Sequence, residues 1–180
     1  MLATFGVGGG ALFATLNRMG ANLEKLFSSA PDLTRLEEGA FGRITGELRP
    51  RGNPVKVPGL GQPCAFYEHV MYVGVGSTWR VVERELVGGE LEIAVGDSLV
   101  RVQARDIYIV RAPSHDQTVG TRTSRVRYVP VGATVQLVGT LTREVDADPA
   151  AQNDYREIAT RFRLVGNRRQ PVVLAADDRV

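Results

Sequence analysis

Few side chains in this chain could act as a nucleophile, a general base or a soft metal ligand. Cys64 is the sole cysteine, and His69 and His115 are the only histidines. Cys64 and His69 lie five apart in one strand-like run. A period of two puts them on opposite faces, so a thiolate–imidazole pair is not expected. Cys64 reads instead as a small buried hydrophobe. Ser114-His115-Asp116 has the letters of a hydrolytic triad, but triads converge across a fold and chain neighbours diverge. The two histidines and the carboxylates lack any metal-ligand spacing. No catalytic residue, metal ligand or cofactor is therefore assigned. Arg122, Arg125 and Arg127 form the densest basic group. The plain reading is a solvated strand edge. The sharper reading is an anionic-ligand site, for lipid headgroups or an acidic partner. No aromatic residues interleave with these arginines, so a nucleic-acid partner is not expected.

Bulk properties narrow the classes further. A chain of 180 residues suits one domain and an appendage, with enough length to bury a core without staples. A formal charge of +2 does not by itself imply nucleic acid. A single cysteine rules out an intramolecular disulfide framework and a cysteine-rich zinc module.

The elements that must position these residues are short strands. Gly61–Tyr72 carries the densest run of β-formers and aromatics, apolar on both faces, and reads as an inner strand covered on both sides. Trp79–Val87 and Glu90–Val95 flank Gly88-Gly89, a two-residue hairpin signature. Leu99–Ala104 and Asp106–Arg111 follow the Gly96-Asp97 turn. Ala112–Ser124, polar with Pro and Gly, reads as a mobile loop. Two further segments echo each other: Gly39 and Gly46 are spaced like Gly132 and Gly139, and Ala40, Ile44 and Leu48 match Ala133, Leu137 and Leu141. An interior glycine at each suggests a bend or a close approach of another backbone. Arg156–Leu164 and Pro171–Ala175 complete the set. The expectation is an all-β fold, a small β-barrel or sandwich of about eight short strands with an N-terminal helix.

Residues 1–28 form the appendage. Met1–Leu16 carries no charge, yet as a helix it would reach only ~24 Å against a ~30 Å hydrocarbon core. A trimmed membrane anchor, an amphipathic helix over Leu12, Leu16, Met19, Leu23 and Leu26, and an irregular leader all fit. Gly6–Gly10 resembles a phosphate loop only in composition, since no strand precedes it. Ser28–Glu38 reads as a cap and a short helical turn before the β-domain, which runs to residue 176; residues 177–180 are a polar tail.

Gln62-Pro63-Cys64-Ala65-Phe66-Tyr67, Trp79 and the run Tyr128–Leu141 resemble the GIDE domain, also called the BAM ("beside a membrane") domain. It occurs in mitochondrial membrane-anchored ubiquitin/SUMO ligases and in prokaryotic proteins. Glu38-Gly39 and Ile44-Thr45-Gly46 fit its first strand, and the resemblance spans roughly residues 29–176. The ligases also carry a zinc-binding RING after a second membrane helix. One cysteine, two histidines and no apolar run after Leu174 leave nothing to carry that activity over. The family's acidic-plus-glycine motif is degraded over Leu91–Val102. The resemblance implies a non-catalytic, membrane-proximal binding or scaffold domain with a membrane surface, a membrane protein or another protein as partner. If the N-terminus makes a single pass, Arg18 and Lys25 favour a cytoplasmic domain. The alternatives are a ubiquitin-ligase-related component whose effector domain lies elsewhere, and an OB-like ligand-binding barrel.

Overall fold

In the computed structural model the described residues are 21–75, 78–145, 160–167 and 170–176. A helix, α1 (residues 21–29), precedes twelve strands. They are β1 (Phe41–Pro50), β2 (Val55–Lys56), β3 (Pro63–Val75), β4 (Thr78–Val87), β5 (Glu90–Val95), β6 (Ser98–Gln103), β7 (Ile107–Arg111), β8 (Ser114–Val119), β9 (Arg122–Pro130), β10 (Thr134–Val145), β11 (Thr160–Val165) and β12 (Val172–Ala176). A single 3₁₀ turn, Ala104–Asp106, links β6 to β7. The all-β expectation holds; the described residues hold twelve strands rather than about eight, chiefly because β2, β8 and β9 lie in stretches with no clear strand signal.

Five strands close into a barrel in the order β1-β5-β6-β11-β10, with β10 returning to β1. Every contact in the ring is antiparallel except β6 with β11. Numbered within the barrel the order is 1-2-3-5-4, an OB-type Greek key. The inward alternation supplies the core: Ile44, Leu48, Leu91, Ile93, Val100, Val102, Leu137, Leu141 and Leu164 are all buried in one cluster.

The paired glycine segments meet each other. β1 and β10 run antiparallel about a local two-fold at the Ile44–Leu137 pair. Gly39 N–H donates to the Leu141 carbonyl and Gly132 N–H to the Leu48 carbonyl, both between matched positions. At Gly46, β1 passes from β10 to β5; an added Cβ there would fall 1.9 Å from the Ala94 carbonyl oxygen. At Gly139, β10 passes from β12 to β11, and a Cβ would fall 2.8 Å from Leu164 Cγ. The interior glycines thus mark two close approaches, of a neighbouring backbone at Gly46 as the spacing suggests and of the Leu164 side chain at Gly139.

A second sheet, inserted between barrel strands, is ordered β2-β3-β9-β8 with β4 also on β3. Gly88-Gly89 is therefore not a hairpin: β4 belongs to this sheet and β5 to the barrel. The glycines serve a crossing, since a Cβ at Gly88 would fall 2.5 Å from Phe66 Cβ. Ala112–Ser124 is not a loop either. It holds β8 and the start of β9, paired from Ser114↔Arg127 to Val119↔Arg122. Its polarity reflects an edge strand with solvent on both faces.

Among the described residues the base of this sheet meets the barrel, through Ala65, Phe66, Val129 and Leu86. Beyond Val70 the β3 residues Met71–Gly74 are half-buried, so the distal part projects as an arm. β7 and β12 extend the barrel sheet, and its outer face is covered by Phe27 of α1 and by Ala30 just beyond it, on Val138, Val173 and Ala175. Residues 31–33 run beside β1 through the Asp32–Arg43 bridge rather than forming the expected helical turn. The readings of Met1–Leu16 and of residues 177–180 lie outside the described residues.

Candidate functional site

Glu68 sits on the inner strand β3 and is fully buried. A buried carboxylate needs paired charge and satisfied oxygens. Arg84 Nε on β4 donates to Glu68 Oε1 at 2.7 Å, and Arg127 Nε on β9 donates to Oε2 at 2.7 Å, with a second Arg127 nitrogen on the same oxygen. Arg127 also donates to the Ile109 carbonyl, and Arg84 lies 5.1 Å from the Tyr108 ring centre. The cluster ties the arm's base to β7. All its charge is directed inward, toward holding the two sheets together.

The three candidate arginines do not act as a group. Arg125 and Arg127 share one face of the second sheet, and Arg122 faces the other by strand parity. Arg125 forms a two-pronged ion pair with Asp116 and lies 5.9 Å from the Tyr72 ring centre. The guanidinium holds the Asp116 carboxyl below its usual range. Arg127 is committed to Glu68. Arg122, at the arm's far end, is exposed.

Cys64 is fully buried against Val57 and Val126, and burial pushes its thiol up to about 11. The opposite-face argument for Cys64 and His69 fails, because a bulge at Ala65 shifts the register between Cys64↔Pro130 and Phe66↔Val129. Cys64 and Tyr67 consequently pack in one cluster, on the face His69 shares. The two side chains still do not meet, being roughly 13 Å apart along the strand. His69 Nε2 instead lies 2.6 Å from Ser124 Oγ, on an open sheet face. Ser114 and Asp116 face away from His115, so that tripeptide does not converge. Among the described residues no three His, Cys, Asp or Glu side chains gather as a metal site.

In an OB-type barrel the face of the second and third strands is the usual ligand platform. Here that face is Glu90 and Glu92 on β5 with Arg101 and Gln103 on β6, and it is filled by ion pairs. Arg51 reaches Glu90 at 2.7 Å, Arg101 reaches Glu92 at 3.4 Å, Arg161 reaches Glu92 at 3.6 Å and Arg163 reaches Glu144 at 3.0 Å. Arg101 is 5% exposed beneath them. No aromatic ring on the outer face of β5 and β6 offers a base or sugar a stacking surface.

The arm's far end is different. Trp79, the only tryptophan, is 41% exposed; it lies across Gly74, where an added Cβ would sit 3.4 Å from the ring. Val82 and Val119 are also exposed, Val119 at 71%. Residues 72–82 and 117–123 contain Arg80 and Arg122 and no acidic residue; the exposed Glu83, paired with Met71, is the first acid below them. Both arginines are exposed. The usual expectation for a tryptophan, a place in the core, fails because β4 outruns the barrel that would cover it. No membrane-crossing helix occurs among the described residues: none there is long and apolar enough.

No protein-family model, curated protein or solved structure matches the chain.

Proposed function

We propose that this chain is a non-catalytic, membrane-proximal binding domain of the GIDE/BAM kind that touches a membrane surface with the tip of its arm. The observation that carries this reading is the tip itself: an exposed tryptophan and valines flanked by two arginines, with no acid. Tryptophan favours the headgroup level of a bilayer. An arginine near an anionic surface contributes about 1 kcal/mol. The paired charges elsewhere favour binding over chemistry, since Arg125, Arg127 and the barrel-face arginines already have anionic partners within the fold.

Trp79 reports on the contact directly, as the sole indole. With vesicles of phosphatidylcholine and phosphatidylserine, its emission should shift to the blue and be quenched by brominated acyl chains. Reversing Arg80 and Arg122 to Glu should weaken partitioning by about 30-fold or more, from about 1 kcal/mol for each arginine removed. Arg125→Glu, whose guanidinium is bound to Asp116, should weaken it far less. Emission unchanged by vesicles of any charge would overturn the reading.

A further inference from the structure

A cleft of about 720 Å³ lies beside α1, next to its core contacts, with Leu23 and Leu26 bordering both. Three separate segments build it. Asn22, Lys25 and Leu26 line it from α1, at spacings that share one helical face. Arg105 and Tyr108 form the facing wall, from the 3₁₀ turn and β7. Asn167 and Pro171 close the floor, between β11 and β12. In the floor, Gln170 N–H donates to Asn167 Oδ1 at 2.9 Å, Asn167 N–H donates back to the Gln170 carbonyl, and Gly166 packs so tightly that a Cβ would fall 2.5 Å from Val172 N.

The volume is that of a small-molecule site. Two cations from different elements line it, and neither is tightly engaged. Lys25 has no carboxylate within ion-pair distance among the described residues, and the carboxylate of Asp106, which also lines the cleft, stays 3.9 Å from Arg105. Elsewhere in the molecule arginines commonly hold carboxylates near 2.7 Å. The Leu26 side chain, the Tyr108 ring and Pro171 give an apolar body somewhere to lie beside those cations.

We propose that this cleft binds a small phosphomonoester: the dianion between Lys25 and Arg105, and its apolar or aromatic body on Leu26, Tyr108 and Pro171. The site is independent of the arm tip, which lies on the other sheet. The test uses the full chain, labelled with ¹⁵N and titrated with phenyl phosphate, inorganic phosphate and phenol. Phenyl phosphate should saturate amide shifts centred on residues 22–29, 105–108, 166–167 and 170–171. Phenol and inorganic phosphate should each bind at least tenfold more weakly. Lys25→Glu and Arg105→Glu should each lose about tenfold in affinity, with amides elsewhere unmoved. Lys25→Gln serves as a milder variant should reversal disturb α1. The proposal is overturned by absence of saturable shifts, by affinity indifferent to both charge reversals, or by inorganic phosphate binding as tightly as phenyl phosphate, which would leave an adventitious ion only.

Discussion

Glu68→Gln should destabilise the fold by about 3 kcal/mol. The carboxylate accepts from Arg84 on one oxygen and from Arg127 on the other while wholly buried. Glutamine keeps the shape and one acceptor, but turns an N–H₂ toward the second arginine. Breaking a buried pair costs about 3–5 kcal/mol. The lower end applies because Arg84 and Arg127 retain 37% and 28% of their side-chain exposure and can recruit water. For a chain of this length that is roughly 6–12 °C in Tm. Urea denaturation followed by circular dichroism reads it. The triple change Glu68→Leu, Arg84→Met, Arg127→Met should recover to within about 1 kcal/mol of the parent, since an apolar replacement removes the desolvation cost together with the attraction. A single variant within about 1 kcal/mol of the parent, or a triple variant worse than the single, would refute the reasoning.

With its thiol pushed up to about 11, Cys64 should be about one part in a thousand thiolate at pH 8, so a disulfide reagent should label it only after denaturation. Gly46→Ala should cost more than about 3 kcal/mol or prevent folding, because the added methyl meets a backbone carbonyl. Gly139→Ala should cost about 1–3 kcal/mol, as the Leu164 side chain it meets has room to turn; equal losses in denaturant midpoint would contradict this. The Asp116 carboxyl is held below its ordinary value, so its contribution is present above about pH 3.9 and is lost as pH falls through the folded value. The stability gap between parent and Asp116→Asn should be flat down to about pH 4, then close; at this exposed site it should stay under about 1 kcal/mol.

What was legible in the sequence follows from what is local. The Gly96-Asp97 turn is legible because a two-residue hairpin writes its chemistry at the turn. The echo of Gly39–Leu48 in Gly132–Leu141 foretold close approaches, though not that the two segments pair with each other. Gly88-Gly89 misled because a sheet crossing and a hairpin use the same residues. β8 was missed because an edge strand with Ser, His, Asp, Gln and Thr has no buried face to make it alternate. Parity parts Arg122 from Arg125 and Arg127 only once β9 is known to be a strand, and the carboxylates that engage the other two, Asp116 and Glu68, come from β8 and β3. The single extra residue at Ala65 reversed a parity argument that had no means of detecting it. The exposure of Trp79 was equally hidden, since it depends on where the barrel ends. The cleft beside α1 drew no signal at all, because its walls come from three segments far apart in the chain.

The handshake between β1 and β10 has a consequence for synthesis. Ile44 finds its partner only when Leu137 appears, roughly 90 residues later, which at ribosomal speed is about 5–20 s. Throughout that interval the inserted arm can zip its own hairpins, whose strands are near neighbours in sequence. The nascent barrel half, with Ile44 and Leu48 still uncovered, has to wait, and it is the stretch a chaperone would be expected to shield.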